Sequence, residues 1–211
     1  MDRAQTLGEE IANAVSHGCG ALAAIAAIPL LTVHYAATGR GPVDLFAVSL
    51  FGSALVVLYL ASTLYHALPD GSAKRVFRVL DHSAIYVLIA GSYTPFALGV
   101  FRESWGWSVF ALIWALAGMG ILLKSTGRAS HPWLSSGLYL AMGWLALAFA
   151  EPLFSELPAM GLFWIIAGGA AYTLGVIFFA LDERLRYAHF TWHLFVLAGS
   201  VCHFVAVYAY A

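Results

Sequence analysis

Charge is scarce in this sequence. Asp, Glu, Lys and Arg make up 10% of its 211 residues, while hydrophobic residues make up 62%. A typical soluble domain carries about 25% charged residues. A chain so poor in polar groups cannot clothe a water-facing surface, so a soluble fold is excluded and the surrounding solvent is lipid. A formal net charge of −1 also argues against a nucleic-acid partner. Cysteine is nearly absent. Cys19 and Cys202 lie in apolar runs, form no CxxC motif and suggest no disulfide framework; they read as small packing residues. The start is not a secretory leader, because Asp2, Glu9 and Glu10 stand where positive charge belongs and the first apolar run is too long.

What is present is a series of long apolar runs. Residues 11–39, 45–69, 82–101, 104–123, 129–150, 157–181 and 187–211 contain no Asp, Glu, Lys or Arg. Roughly 20 apolar residues in a helix cross a hydrocarbon core, so the expectation is an all-α, seven-transmembrane-helix bundle. It forms one membrane domain over 1–211, with a short cytoplasmic N-terminal segment over 1–13. Arg3, Lys74, Arg75, Arg78, Lys124, Arg128, Arg184 and Arg186 fall on one side of that topology; only Arg40 and Arg102 fall on the other. The bias predicts a cytoplasmic N-terminus and an outside C-terminus. Thr6-Leu7-Gly8-Glu9 has the form of a helix-capping box. The helix it starts either lies on the membrane surface or runs straight into the first span.

Topology brings four ionisable residues to one depth. His66 ends the second span, Asp81 begins the third after a short loop, and His189 and His193 begin the last. Positions i and i+4 share a helix face, so the HxxxH pair converges and His66 supplies a third nitrogen. Three nitrogens with an open position suit catalytic zinc, with Asp81 as a fourth ligand or as the holder of a water. Ser62 lies one turn deeper than His66 on its face. Taken singly, the histidines read as side chains facing headgroups, and Asp81 as a partner of Arg78 or Lys74. Together they form a metal site, since ionisable residues inside a membrane are costly to keep. His17 approaches the site or packs near it. His203 lies about 15 Å along the helix from His193, outside the same coordination shell, and bonds to another helix. His82, turned about 100° from Asp81, faces away. His34 and His131 read as interfacial. Gly91 and Pro95 read as close packing and a helix end or kink, and Tyr93 points either inward or to the outer interface.

The ordered motifs SerThrLeuTyrHis (62–66), AspHisSerAlaIle (81–85), GlySerTyrThrPro (91–95) and HisPheThrTrpHisLeuPheVal (189–196) resemble the hemolysin III family. That family stands with the progestin and adipoQ receptors and is distantly similar to the alkaline ceramidases. GluGluIleAlaAsnAlaValSerHisGly (9–18) also resembles its bacterial branch, and the short loops and absent extension suggest a bacterial cytoplasmic membrane protein. The resemblance covers essentially the whole chain. It implies Zn2+ held by His66, His189 and His193, with Asp81 near a zinc-bound water and Ser62 nearby.

From these residues the leading expectation is a zinc-dependent, ceramidase-like hydrolase of lipid amides, with Asp81 and Ser62 catalytic. Its partners would be membrane lipids, a lipid amide or a fatty acid, and its role lipid homeostasis. The alternatives are a non-enzymatic regulator or receptor with structural zinc and, with least support, a pore-forming cytolysin. A hormone-receptor role is disfavoured by the lack of a large N-terminal extension, and a retinal Schiff base by the lack of lysine in the last run. Oligomeric state is left open.

Overall fold

A computed structural model describes residues 4–128 and 132–211. The described chain is helical throughout, and no strand occurs among the described residues. The elements are α1 (Leu7–Ala37), α2 (Pro42–Ala67), α3 (Ser72–Pro95), α4 (Gly106–Ser125), α5 (Pro132–Trp144), α6 (Ala150–Glu156), α7 (Ala159–Ala180) and α8 (Ala188–Tyr210). Among the described residues, six helices are long and apolar enough to cross a membrane: α1, α2, α3 with its extension to Val100, α4, α7 and α8.

The expected fifth span takes a different form. It is a shorter apolar helix, Leu134–Phe149, whose last turn tightens to a 3₁₀-helix over Leu145–Phe149 before α6 begins. The cause is Tyr93, which points inward. Its one hydroxyl proton is shared between the carbonyls of Met142 and Gly143, at 2.9 and 2.8 Å, and its oxygen accepts from the Ala146 amide at 2.7 Å. Backbone groups that would continue the α-helix are thereby diverted.

Thr6 and Glu9 form the expected capping box, and α1 runs without a break from there into the bundle. Neighbouring helices pack through glycine. A Cβ on Gly91 would meet Ala54 and the Phe51 backbone, and one on Gly52 would meet Ile28, so α1, α2 and α3 approach closely, as membrane helices do through small residues. Pro95 ends α3, and a π-turn over Phe96–Val100 follows. At that end Asp44 is ion-paired with Arg102 and caps α2 through the Gly41 amide. α8 lies against both α1 and α7 and closes the bundle. Large apolar side chains such as Leu22, Leu30, Val33, Phe163 and Ile166 cover its exterior, the surface expected of a protein solvated by lipid. Cys19 is exposed there and Cys202 is half-buried, so the expected packing role does not hold for Cys19.

Candidate metal centre

The histidines picked out by spacing meet. His66, His189 and His193 are all buried, and one nitrogen from each lies within 4.8 Å of the other two. Their ring centroids are separated by 5.0, 5.1 and 4.8 Å. The helical register brings His189 and His193 together, and the contacts of α1 with α2 and α8 bring His66 to them.

Each ring is held by its Nδ1. His66 Nδ1 donates to Glu10 Oε2 at 2.6 Å, His189 Nδ1 to Asp182 Oδ2 at 3.0 Å, and His193 Nδ1 to the Asn13 carbonyl at 3.3 Å, with Ser16 Oγ 3.2 Å away. Three acceptors on three Nδ1 atoms place the proton there and leave the Nε2 lone pairs free. This is the usual second layer around metal-binding histidines, in which a carboxylate or carbonyl fixes the tautomer and the ring orientation. His66 Nε2 is buried with no hydrogen-bond partner, an expensive state unless another group meets it. Glu10, Asp81 and Asp182 bring three carboxylates to the cluster, and Lys74 pairs with Glu10 at 2.7 Å. A divalent cation would balance this charge, so the residues present fit a metal ion.

The sequence assigns no role at this centre to Glu10, Asn13, Ser16 or Asp182. The first three were discoverable: with His17 they recur at helical spacing along one face of α1. Glu9 ties the centre down. Its Oε2 accepts from Thr6 and its Oε1 from the Tyr187 amide at 2.8 Å. Tyr187 caps α8 in a left-handed conformation, φ 60°, which is uncommon for a residue other than glycine.

Asp81 and Ser62 are buried and line the same cavity as His189 and His193. Ser62 Oγ is buried there with no hydrogen-bond partner. His17 does approach the site: its ring stacks on His193 with centroids 3.5 Å apart and planes 6° from parallel. His82 does not face away. It packs edge-on against Phe179 and borders the cavity, because α3 has neighbours on both flanks and a 100° turn still points inward. His34 stacks on Tyr208, and His131 lies outside the described residues. The cavity, about 270 Å³, is walled mainly by apolar side chains of α3, α5, α7 and α8 and reaches from the histidines past His203 to Phe101 and Trp105.

The family described as Haemolysin-III related matches residues 5–204. Hemolysin-3 of Bacillus cereus is 42% identical over 98% of this chain and 93% of its own length. The Hemolysin-3 homolog of Bacillus subtilis is 39% identical over 97% and 95%. The Monocyte to macrophage differentiation factor of Homo sapiens is 28% identical over 76% of this chain and 68% of its own. No solved structure matches. The family match spans nearly the whole described chain and agrees with the apolar helices and the histidine motifs: this protein belongs to the Haemolysin-III related family and is a multi-pass membrane protein.

Proposed function

We propose that the protein is a zinc-dependent hydrolase of lipid amides, working at the cytoplasmic end of its bundle. The observation that carries this reading is three imidazoles with free Nε2 atoms, of which His189 and His193 line one end of an apolar cavity together with the Asp81 carboxylate and the Ser62 hydroxyl. Three histidines and an open position suit zinc. When bound, zinc supplies Lewis-acid chemistry at the scissile carbonyl and eases deprotonation of water.

The chain's own residues do the rest. His66, His189 and His193 would hold the ion, oriented by Glu10, Asp182 and Asn13. The cavity aligns the acyl chain between α3, α5, α7 and α8 and keeps bulk water from it. The Asp81 carboxylate orients the attacking water and accepts its proton, and the Ser62 hydroxyl donates to the oxygen of the attacked carbonyl. The amine leaves with a proton and the acyl group leaves as a fatty acid.

Asp81→Asn tests the assignment in purified protein. Zinc content and melting temperature are expected to stay near wild type, while hydrolysis of a ceramide-like amide falls about 10²–10⁴-fold. A parallel fall in stability and zinc content would favour the second reading, a non-enzymatic regulator whose zinc staples the helices. The Nδ1 partners on α1 and in the α7–α8 connection are what keep that reading in view.

The orientation rests on the eight basic residues against two. A reporter fused to the C-terminus is expected to read outside. A cytoplasmic signal would place the centre at the opposite face.

A further inference from the structure

Beyond the metal centre several buried polar side chains among the described residues have partners, while Ser83 and Tyr86 each leave a single oxygen without one. Tyr59 donates to Ser200 Oγ at 2.7 Å, and Tyr172 Oη lies 3.0 Å from the same oxygen. Thr94 returns to the Ala90 carbonyl and accepts from Trp114. His203 differs. Both of its ring nitrogens are buried and neither completes a hydrogen bond, although the Ile165 carbonyl is near enough to interact electrostatically. The ring borders the same cavity as the histidine cluster, about 15 Å further along α8 at 1.5 Å per residue.

The seat of this ring is built into the fold. A Cβ on Gly168 would strike His203 at Cδ2 and, at 2.6 Å, at Nε2, so α7 leaves a notch where the ring lies. Tyr172 meets the ring edge-on, with centroids 5.3 Å apart, and its hydroxyl is engaged with Ser200. A neutral imidazole offers one donor and one acceptor. Leaving both unmet in an apolar cavity is costly, and a pure hydrocarbon chain lying against them would not relieve that cost.

We propose that His203 is a second polar subsite of the cavity, hydrogen-bonding a hydroxyl or carbonyl carried mid-chain by the amphiphile the cavity holds. The ligand class is an oxygenated long-chain lipid with its head at the histidine cluster and its oxygen about 15 Å away along the helix axis. The inference rests on the cavity being an acyl-chain site, as in the proposed function, but not on hydrolysis. A site with unmet polar groups discriminates strongly against a ligand that lacks the matching group.

The test measures binding of ricinoleate, which has a mid-chain hydroxyl, and of oleate, which has none, to the full chain in nanodiscs. The wild type is expected to bind ricinoleate about tenfold more tightly, the worth of one well-made hydrogen bond. A fatty acid hydroxylated beside its carboxylate is expected to show no such gain. His203→Leu is expected to remove the preference without weakening oleate, and Gly168→Ala to remove it by displacing the ring. His203→Gln, which keeps a donor and an acceptor, is expected to restore part of it, so the proposal remains testable if one variant fails to fold. Equal binding of both probes by the wild type, or a preference that survives in His203→Leu, overturns the proposal. Because the readout is binding, loss of the preference alongside intact amide hydrolysis removes only the subsite. A preference without hydrolysis upholds the subsite and removes the hydrolase.

Discussion

His193→Ala is expected to abolish metal binding: about one zinc per chain in the wild type, and none retained by the variant after purification without chelator. His193 is 1% exposed and sits at the middle of the cluster, stacked on His17 and within 4.8 Å, nitrogen to nitrogen, of both other imidazoles. Alanine there removes one of three protein ligands; His17, stacked on the lost ring with both nitrogens unpartnered, belongs to α1 and would have to shift to replace it. Amide hydrolysis, if zinc-dependent, disappears with the metal. Glu10→Gln gives the graded counterpart. The amide can still face His66 Nδ1, but the carboxylate charge that raises ligand basicity is gone, so zinc affinity is expected to fall about 10–100-fold. Metal analysis by mass spectrometry, with a competing chelator for the affinities, reads both. Metal absent from the wild type, or full occupancy in His193→Ala, would return these rings to ordinary hydrogen bonding within the bundle.

Gly106→Ala is expected to be the most damaging single-methyl change in the chain. Gly106 opens α4 and is buried there, its amide donating to the Phe101 carbonyl at 2.9 Å. A Cβ at this point would collide with the Ala97 carbonyl oxygen and lie 2.7 Å from that of Phe101. Both obstacles are backbone in the turn that follows Pro95, so no side-chain rotation relieves the clash. The cost is expected at or above the roughly 3 kcal/mol top of the usual overpacking range. It should appear as aggregation during extraction, or as a large drop in melting temperature. Gly118→Ala is the control. Nothing lies within 4 Å of its added Cβ, and alanine is favoured over glycine in a helix by about 1 kcal/mol, so stability should hold or rise. Comparable melting of both variants would mean that the α3–α4 turn is looser than its contacts indicate.

The helical membrane architecture was legible in the sequence because bilayer thickness sets the length of a span, and charge-free runs of that length stand out. The core of the candidate site was legible too. The 3.6-residue period puts His189 and His193 on one face, and the short connection between α2 and α3 keeps His66 and Asp81 at the same end of the bundle. Even the capping box at Thr6 could be named, since it depends only on residues three apart.

Helix rotation and contact are where tertiary structure decided. Lipid is as apolar as leucine, so a membrane helix carries a weak signal of which face turns inward. That left Glu10, Asn13 and Ser16 unassigned and His82 turned the wrong way. The shape of the fifth apolar segment depends on Tyr93 reaching across from α3 to take its backbone bonds, a contact between residues about fifty positions apart that no local pattern announces. The unpaired state of His203 is likewise a property of its neighbours: Ser200, one turn away, is already engaged by Tyr59 and Tyr172. Sequence by itself determined which residues stand at which depth, because hydrophobic length and helical period are local. The fold decided which of them touch, because in lipid that choice is made by packing and hydrogen bonding between helices.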